Sequence, residues 1–420
     1  VRGMILAQRP HSRMAFARLA AEARDGLEAR PGSVKARFAE ALERIEARFA
    51  GEIALLCAPG PEGCPRAGAY AALREVLGDA TWAASPARPI RTQLRSGIDA
   101  DVNPLLQRNQ GRVLADGWTA GGEGWLDAVL GSGVAAQVQP RLSLADSRDR
   151  RPQADLTLVR GYVRGVLGNL SVDLGRNLAT HGHARVAGPV LSSNARGLDM
   201  IRLSMERPCR LPWILRGLGA VGFSAMVADM GRDQDTPGSK LIVFEGAMRP
   251  HRNLELGAAL VNHQGGGVGP DVSLGERLRD AFFLVKRRPF YFLPSSRVRS
   301  DKALAFDARL TVPSHGLEAY LEVMTTDDHD LFWAARQALW NDAAWTAGVR
   351  ALGLDREGRL DAWLEASRVG LLPYTHHEFT SGLAVDRRIL GSPLGPLGTG
   401  FLGGVDWTAA DHTLSVAGAW

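Results

Sequence analysis

Two short stretches carry the residue types that hold metal ions, His181-Gly182-His183 and His376-His377-Glu378. A zinc centre needs three or four ligands converging on one point, and these stretches lie far apart in the chain. Read as polar loop residues, they would instead be hydrogen-bonded within the protein. Asp327-Asp328-His329-Asp330 clusters carboxylates as calcium sites do. It lacks the glycine and the closing glutamate of an EF-hand loop, so a solvated loop is the simpler reading. No Gly-x-Ser-x-Gly elbow joins a strand to a helix. Catalysis has weak support, and no catalytic residue, metal or cofactor is assigned.

Carbohydrate recognition needs other parts: aromatic faces against sugar C–H surfaces, with Arg and Asn for acidic and hydroxyl groups. Trp333, Arg336, Trp340 and Asn341 fall in one connection and could form such a patch. Arg148, Arg150 and Arg151 fall in another and could meet uronic-acid carboxylates. Tryptophans also serve as membrane-interface anchors or as packing. The net charge of +5 is carried almost entirely by Arg, since only Lys35, Lys240, Lys286 and Lys302 are lysines. Arg suits bidentate contact with carboxylate or phosphate. An acidic polymer or acidic lipid headgroups fit this balance. Nucleic acid fits it too, but no helix-turn-helix, zinc-finger or RRM pattern is present, and it is set aside on that ground.

The elements that must hold these residues change character along the chain. Ser12 reads as an N-cap, and Met14, Phe16, Leu19, Ala23 and Leu27 then recur at helical spacing. Pro31-Gly32 breaks this helix, and Ser33 caps a second with Val34, Phe38, Leu42, Ile45 and Phe49 on one face. A third short helix is expected over Arg66 to Leu77. These amphipathic helices need partners and are not membrane spans. Ser85 to Pro89 reads as a linker, so residues 1–88 are taken as a helical bundle and 89–420 as a second, β-rich unit. Cys57 and Cys64 flank a turn-rich segment and could close a small disulfide loop, or stand as two free thiols; Cys209 has no obvious partner.

Past residue 90 the period becomes two. In Leu304 to Val312, the residues Leu304, Phe306, Ala308, Leu310 and Val312 share one face, while Ala305, Asp307, Arg309 and Thr311 share the other. Leu170 to Gly175, Ile201 to Glu206, Leu254 to Val261, Leu317 to Met324 and Leu360 to Ser367 repeat the pattern. About fifteen such candidates occur, each roughly nine to eleven residues, a length that crosses a bilayer at a tilt. Strands of soluble sandwiches are shorter, about five or six residues. Alternation alone leaves a soluble β-protein open. Strand length and a charged face carrying both signs favour a membrane barrel. Trp125, Trp213, Tyr320, Trp345 and Trp363 are expected in its interfacial girdles. The 48 glycines, many inside strands, suit a curved sheet. Long connections run from Pro140 to Pro152, Gly175 to Asp199, His263 to Ser300, Thr326 to Asp342 and Gly370 to Gly400. Such loops are functional or fold inward as plugs.

Those connections resemble the Wzi-type capsule assembly family. The likeness rests on Gly175-Arg176, Gly188-Pro189 and Leu191-Ser192-Ser193-Asn194-Ala195-Arg196 ahead of the strand Met200 to Ser204. It rests also on Arg9-Pro10-His11-Ser12-Arg13, on Tyr374-Thr375, and on Gly391-Ser392-Pro393-Leu394-Gly395-Pro396. It runs over nearly the whole chain. The resemblance implies a mainly β protein, a large antiparallel transmembrane β-barrel plugged by inward loops, with a small helical bundle at its periplasmic end. It implies an outer-membrane lectin that holds capsular polysaccharide at the cell surface and is not an enzyme, with lipid and the capsule export machinery as further partners. A porin-like channel is the alternative, and a barrel enzyme ranks third. Under this resemblance Arg176, Asn194, Arg196 and Arg202 are expected to be structural parts of the plug and lumen. The chain departs from the family pattern at Thr180-His181-Gly182-His183, where a Trp-Gly-Pro-Gly-like turn is common. The family barrel has eighteen strands, more than are counted in this sequence, and truncation is the expected reason for the shortfall.

Overall fold

In the computed structural model, residues 6–9, 11–29, 32–54, 70–91, 97–105, 109–130, 133–147, 153–282, 297–326, 343–409 and 412–419 are described. Among the described residues, sixteen strands form one antiparallel sheet. Fifteen of them neighbour one another in chain order, from Tyr70–Ala83 to His412–Ala419, and the short Cys209–Arg210 pairs off that path with Ala220–Asp229. The two end strands of this path are not paired with each other among the described residues.

The alternation of the sequence is realised inside out. In Leu198–Met205, Met200 and Arg202 are buried while Ile201 and Leu203 are exposed. In Ser300–Val312, Asp307 is 5% and Arg309 8% exposed, against 51% for Phe306 and 50% for Leu310. Leu170–Asn177, Leu317–Thr326 and Leu360–Val369 repeat this, with Asp173, Glu322 and Glu365 inside and Leu174, Leu321 and Leu364 outside. A soluble sheet hides its oily face and shows water its charges. Here the apolar face points out on strand after strand, which only lipid can cover.

The connections are polarised. At one edge several are tight, Gly168-Asn169, Arg252-Asn253 and Pro313–Gly316, with the longer 206–219 and 352–359 beside them. At the other edge run 178–197 and 370–398, and the strands that flank 84–116, 266–299 and 327–342 open to it. The N-terminal helices sit at the tight edge. Ser12 caps Arg13–Glu28, accepting from Ala15 N–H at 3.0 Å, and its hydroxyl also donates to Glu206 in the turn after Met205. Glu40, in the helix Gly32–Arg48, pairs with Arg359 in another turn at 3.0 Å. The Ser33 side chain is outside the described set.

Three expectations need correction. The helix expected over Arg66 to Leu77 is instead a strand from Tyr70, which pairs with Gly117–Leu130, so the sheet begins within the segment taken as helical bundle. A bulge between Leu73 and Glu75 puts Leu73 and Val76, three residues apart, both on the exposed face. This imitates helical spacing. Pro140 to Ser147 is strand rather than loop, because Pro140 sits at a register shift where its missing N–H costs no ladder bond. Several girdle candidates face inward: Tyr320 and Trp363 are 4% and 5% exposed, sharing parity with Glu322 and Glu365. The exposed aromatics near strand ends are instead Trp82, its cross-strand partner Trp118, and Trp407, with Trp213 in a turn.

Candidate functional site

Inward-facing charges need partners, and two connections supply them by folding into the sheet's interior. Segment 178–197 runs past a row of buried carboxylates on separate strands. His181 bonds Glu245 through Nδ1 at 3.2 Å and Asp307 through Nε2 at 2.9 Å. His183 Nε2 meets the other oxygen of Asp307 at 3.0 Å. Glu322 accepts the backbone N–H groups of His183 and Ala184, and Glu365 accepts those of Arg185 and Val186 along with the Tyr320 hydroxyl. Gly182 permits this path: its φ is +90°, and a Cβ there would strike the Glu322 carboxylate. The N-terminal residues Gln8–Arg9 add a short antiparallel pairing to Thr180–His181, while Leu6 and Ala7 donate their N–H groups to Glu255 at 2.7 and 2.9 Å. Arg249 and Arg309 hold the other Glu255 oxygen, at 2.9 and 3.0 Å.

Burial opposes the His181 imidazolium, but the Asp307 and Glu245 carboxylates outweigh it and hold its pKa up to about 10. His181 therefore stays charged at neutral pH. Of the two histidines that looked like metal ligands, His181 is the cationic side of an ion-paired plug, and His183 meets the same Asp307.

The second inward segment, 370–398, packs above the first. Tyr374, buried with φ +71°, donates its hydroxyl to Pro189 O at 2.5 Å and accepts from Ser192 N–H at 2.9 Å. Ser192 Oγ donates to Gly391 O at 2.5 Å. Asn194, 5% exposed, donates to Ile389 O at 2.9 Å and accepts from the Asn109 amide at 2.8 Å. Val190, Leu191, Leu383, Val385 and Ile389 join Met200, Met226, Leu241 and Val243 of the wall in one apolar core. The sequence motifs around Gly188, Leu191 to Arg196, Tyr374 and Gly391 thus meet at one seam between the two plug segments.

The residues expected to be structural fall as follows. Asn194 is inside that seam, and Arg196 pairs with Asp386 across it. Arg202 is fully buried against Glu245 at 3.1 Å and Ser224 at 3.2 Å. Arg176 pairs with Asp199 on the neighbouring strand at 2.7 Å. His376 Nδ1 accepts from Glu378 and Phe379 N–H, which places that stretch in the plug as well. The residues expected to bind saccharide (Arg148, Arg150, Arg151, Trp333, Arg336, Trp340 and Asn341) lie outside the described residues, as do Asp327 to Asp330, Cys57 and Cys64. The strands flanking those saccharide candidates end at the edge opposite the helices.

Comparison with known proteins agrees with this geometry. The family "Capsule assembly protein Wzi" matches residues 90–416. No curated protein matches the sequence. Among solved structures, one is similar over 100% of this chain and 80% of its own, at 15% identity and a TM-score of 0.65. It is Wzi, an outer membrane protein involved in group 1 capsule assembly in Escherichia coli, described as a carbohydrate-binding β-barrel. OmpF of Salmonella typhi (10% identity, 84% of this chain and 89% of its own, TM-score 0.42) and the channel DcaP of Acinetobacter baumannii (9%, 84% and 91%, 0.41) are more distant. Scores that low assign nothing beyond themselves.

Proposed function

Since this chain belongs to the Wzi capsule assembly family and is an outer-membrane protein, we propose that it is a non-enzymatic surface lectin holding acidic capsular polysaccharide at the cell surface. The observation that carries this reading is the plugged interior. Two plug segments, an N-terminal segment and a row of ion-paired carboxylates occupy the space a porin would leave to water. A wall built this way suits holding a polymer outside better than passing solute through. The N-terminal helices then lie at the periplasmic edge with the tight turns, and the long connections face outward. The strands on either side of Arg148, Arg150, Arg151, Trp333, Arg336, Trp340 and Asn341 open to that edge, and we assign these residues to the polymer. Outer-membrane lipid surrounds the wall, and the capsule export machinery delivers the polymer.

The test is polymer retention. Cells lacking the gene should shed capsule into the medium, and the purified protein in detergent should bind polygalacturonate in a salt-sensitive way. Unchanged cell-bound capsule together with no binding to capsule fragments or polygalacturonate would sink the lectin reading.

A further inference from the structure

A cavity of 1290 Å³ lies beside the plug, in the half of the interior nearest the helices. Phe16 and Phe49, stacked at 5.5 Å, border it from the helical side. Its wall is the inner face of Gly117–Leu130, Val134–Ser147 and Gln153–Leu167, and the segment around His181 borders it from the plug side. The lining reaches Gly133 and Glu206 at the tight-turn edge.

The cations facing this cavity are not alike. Arg13, Arg48, Arg74, Arg164 and Arg185 each hold a carboxylate: Glu52, Glu75, Asp127, Asp173 and Asp406 respectively. Arg160 has no carboxylate partner among the described residues, and its Nε has no hydrogen-bond partner there either. Its guanidinium lies 5.3 Å from the centroid of the Trp125 ring. The Trp125 indole N–H is likewise unpartnered among the described residues. Both of these atoms are closed to solvent; what faces the cavity is the rest of the guanidinium, without a carboxylate partner among the described residues, and the indole ring. An aromatic face beside a free guanidinium is the pair an acidic pyranose needs, one for its C–H surface and one for its carboxylate. The volume exceeds the roughly 300–1,000 Å³ of a drug-sized site and admits a short oligosaccharide.

We propose that this chamber binds a short acidic saccharide entering from the helix-side edge, with its anionic group on Arg160 and a ring face on Trp125. The inference rests on the lectin reading but concerns a second site, on the inner wall of the sheet. The probes are a galacturonic acid hexamer and a neutral maltohexaose, titrated calorimetrically into the full chain in detergent, with folding of every variant checked by its heat-modifiable gel shift. Arg160→Gln should weaken the acidic hexamer at least tenfold and remove the preference over maltohexaose. Trp125→Leu should weaken both sugars severalfold. Ala135→Trp, which fills the chamber while keeping Arg160, should weaken both as well. All three should bind polygalacturonate polymer as the parent does. If the parent binds the hexamer and the folded variants bind it equally well, the chamber assignment is overturned. If the parent binds the polymer but not the hexamer, the chamber is again overturned while the lectin reading stands. If the parent binds neither, the chamber is overturned, and the lectin reading falls with it where cells lacking the gene also keep their capsule.

Discussion

His181 stands for the residue scale. Its side chain looks like half of a metal site and is a cation at neutral pH between Glu245 and Asp307. Its folded pKa, up to about 10, lies above the unfolded value of about 6.5. A raised pKa contributes stability that is complete below pH ~6.5 and is lost as pH climbs through the folded value. The melting temperature in detergent should therefore fall between about pH 6.5 and 10, and His181→Asn should lose that part of the slope. A variant with the parent's slope would show that this ion pair is not the titrating group. Glu322 makes a second case, since its carboxylate accepts two plug N–H groups. Glu322→Ala strands both donors, at about 1–3 kcal/mol. Limited proteolysis should then cut within 180–190 at protease levels that leave the parent intact.

At the scale of the element, a strand is informative only once its two faces are distinguished. Phe306 and Asp307 are neighbours in sequence and opposite in fate: one meets lipid and the other is locked to two histidines. Phe306→Arg puts a charge in the lipid-facing band and should cost roughly 2–4 kcal/mol if the site is near the bilayer midplane. Urea titration of folding into phosphatidylcholine vesicles measures this, and a shift below 1 kcal/mol would place Phe306 outside the hydrocarbon. The first strand shows how an element is misread. The bulge at Leu73–Glu75 breaks period two for one step, and the Ala- and Leu-rich segment then imitates a helix. Trp125 was misread for a related reason. Proximity to a strand end suggested a girdle, yet it shares parity with Glu123 and Asp127, which face inward. Parity was the usable signal, and it would also have put Arg160 on the inner face with Arg164.

At the scale of the whole molecule, the plug decides between a channel and a holder. Reconstituted into planar bilayers, the protein should give no steady open-channel current, and deletion of 371–396 should produce one. A large steady current from the parent would overturn the plugged reading. The sequence by itself determined the period of the strands, their length, the two-signed polar face, the N-terminal helices and the family-like motifs. Those are local patterns, and alternation fixes side-chain direction wherever a strand forms. It could not say which face is inside, because apolar-in and apolar-out strands have the same period. Nor could it say where 178–197 and 370–398 go, since His181 finds Glu245 and Asp307 at separations of 64 and 126 residues only when the sheet has curved. The Trp125–Arg160 pair spans three strands' worth of chain for the same reason. Pairings between distant strands set those distances, and only the tertiary structure fixes them.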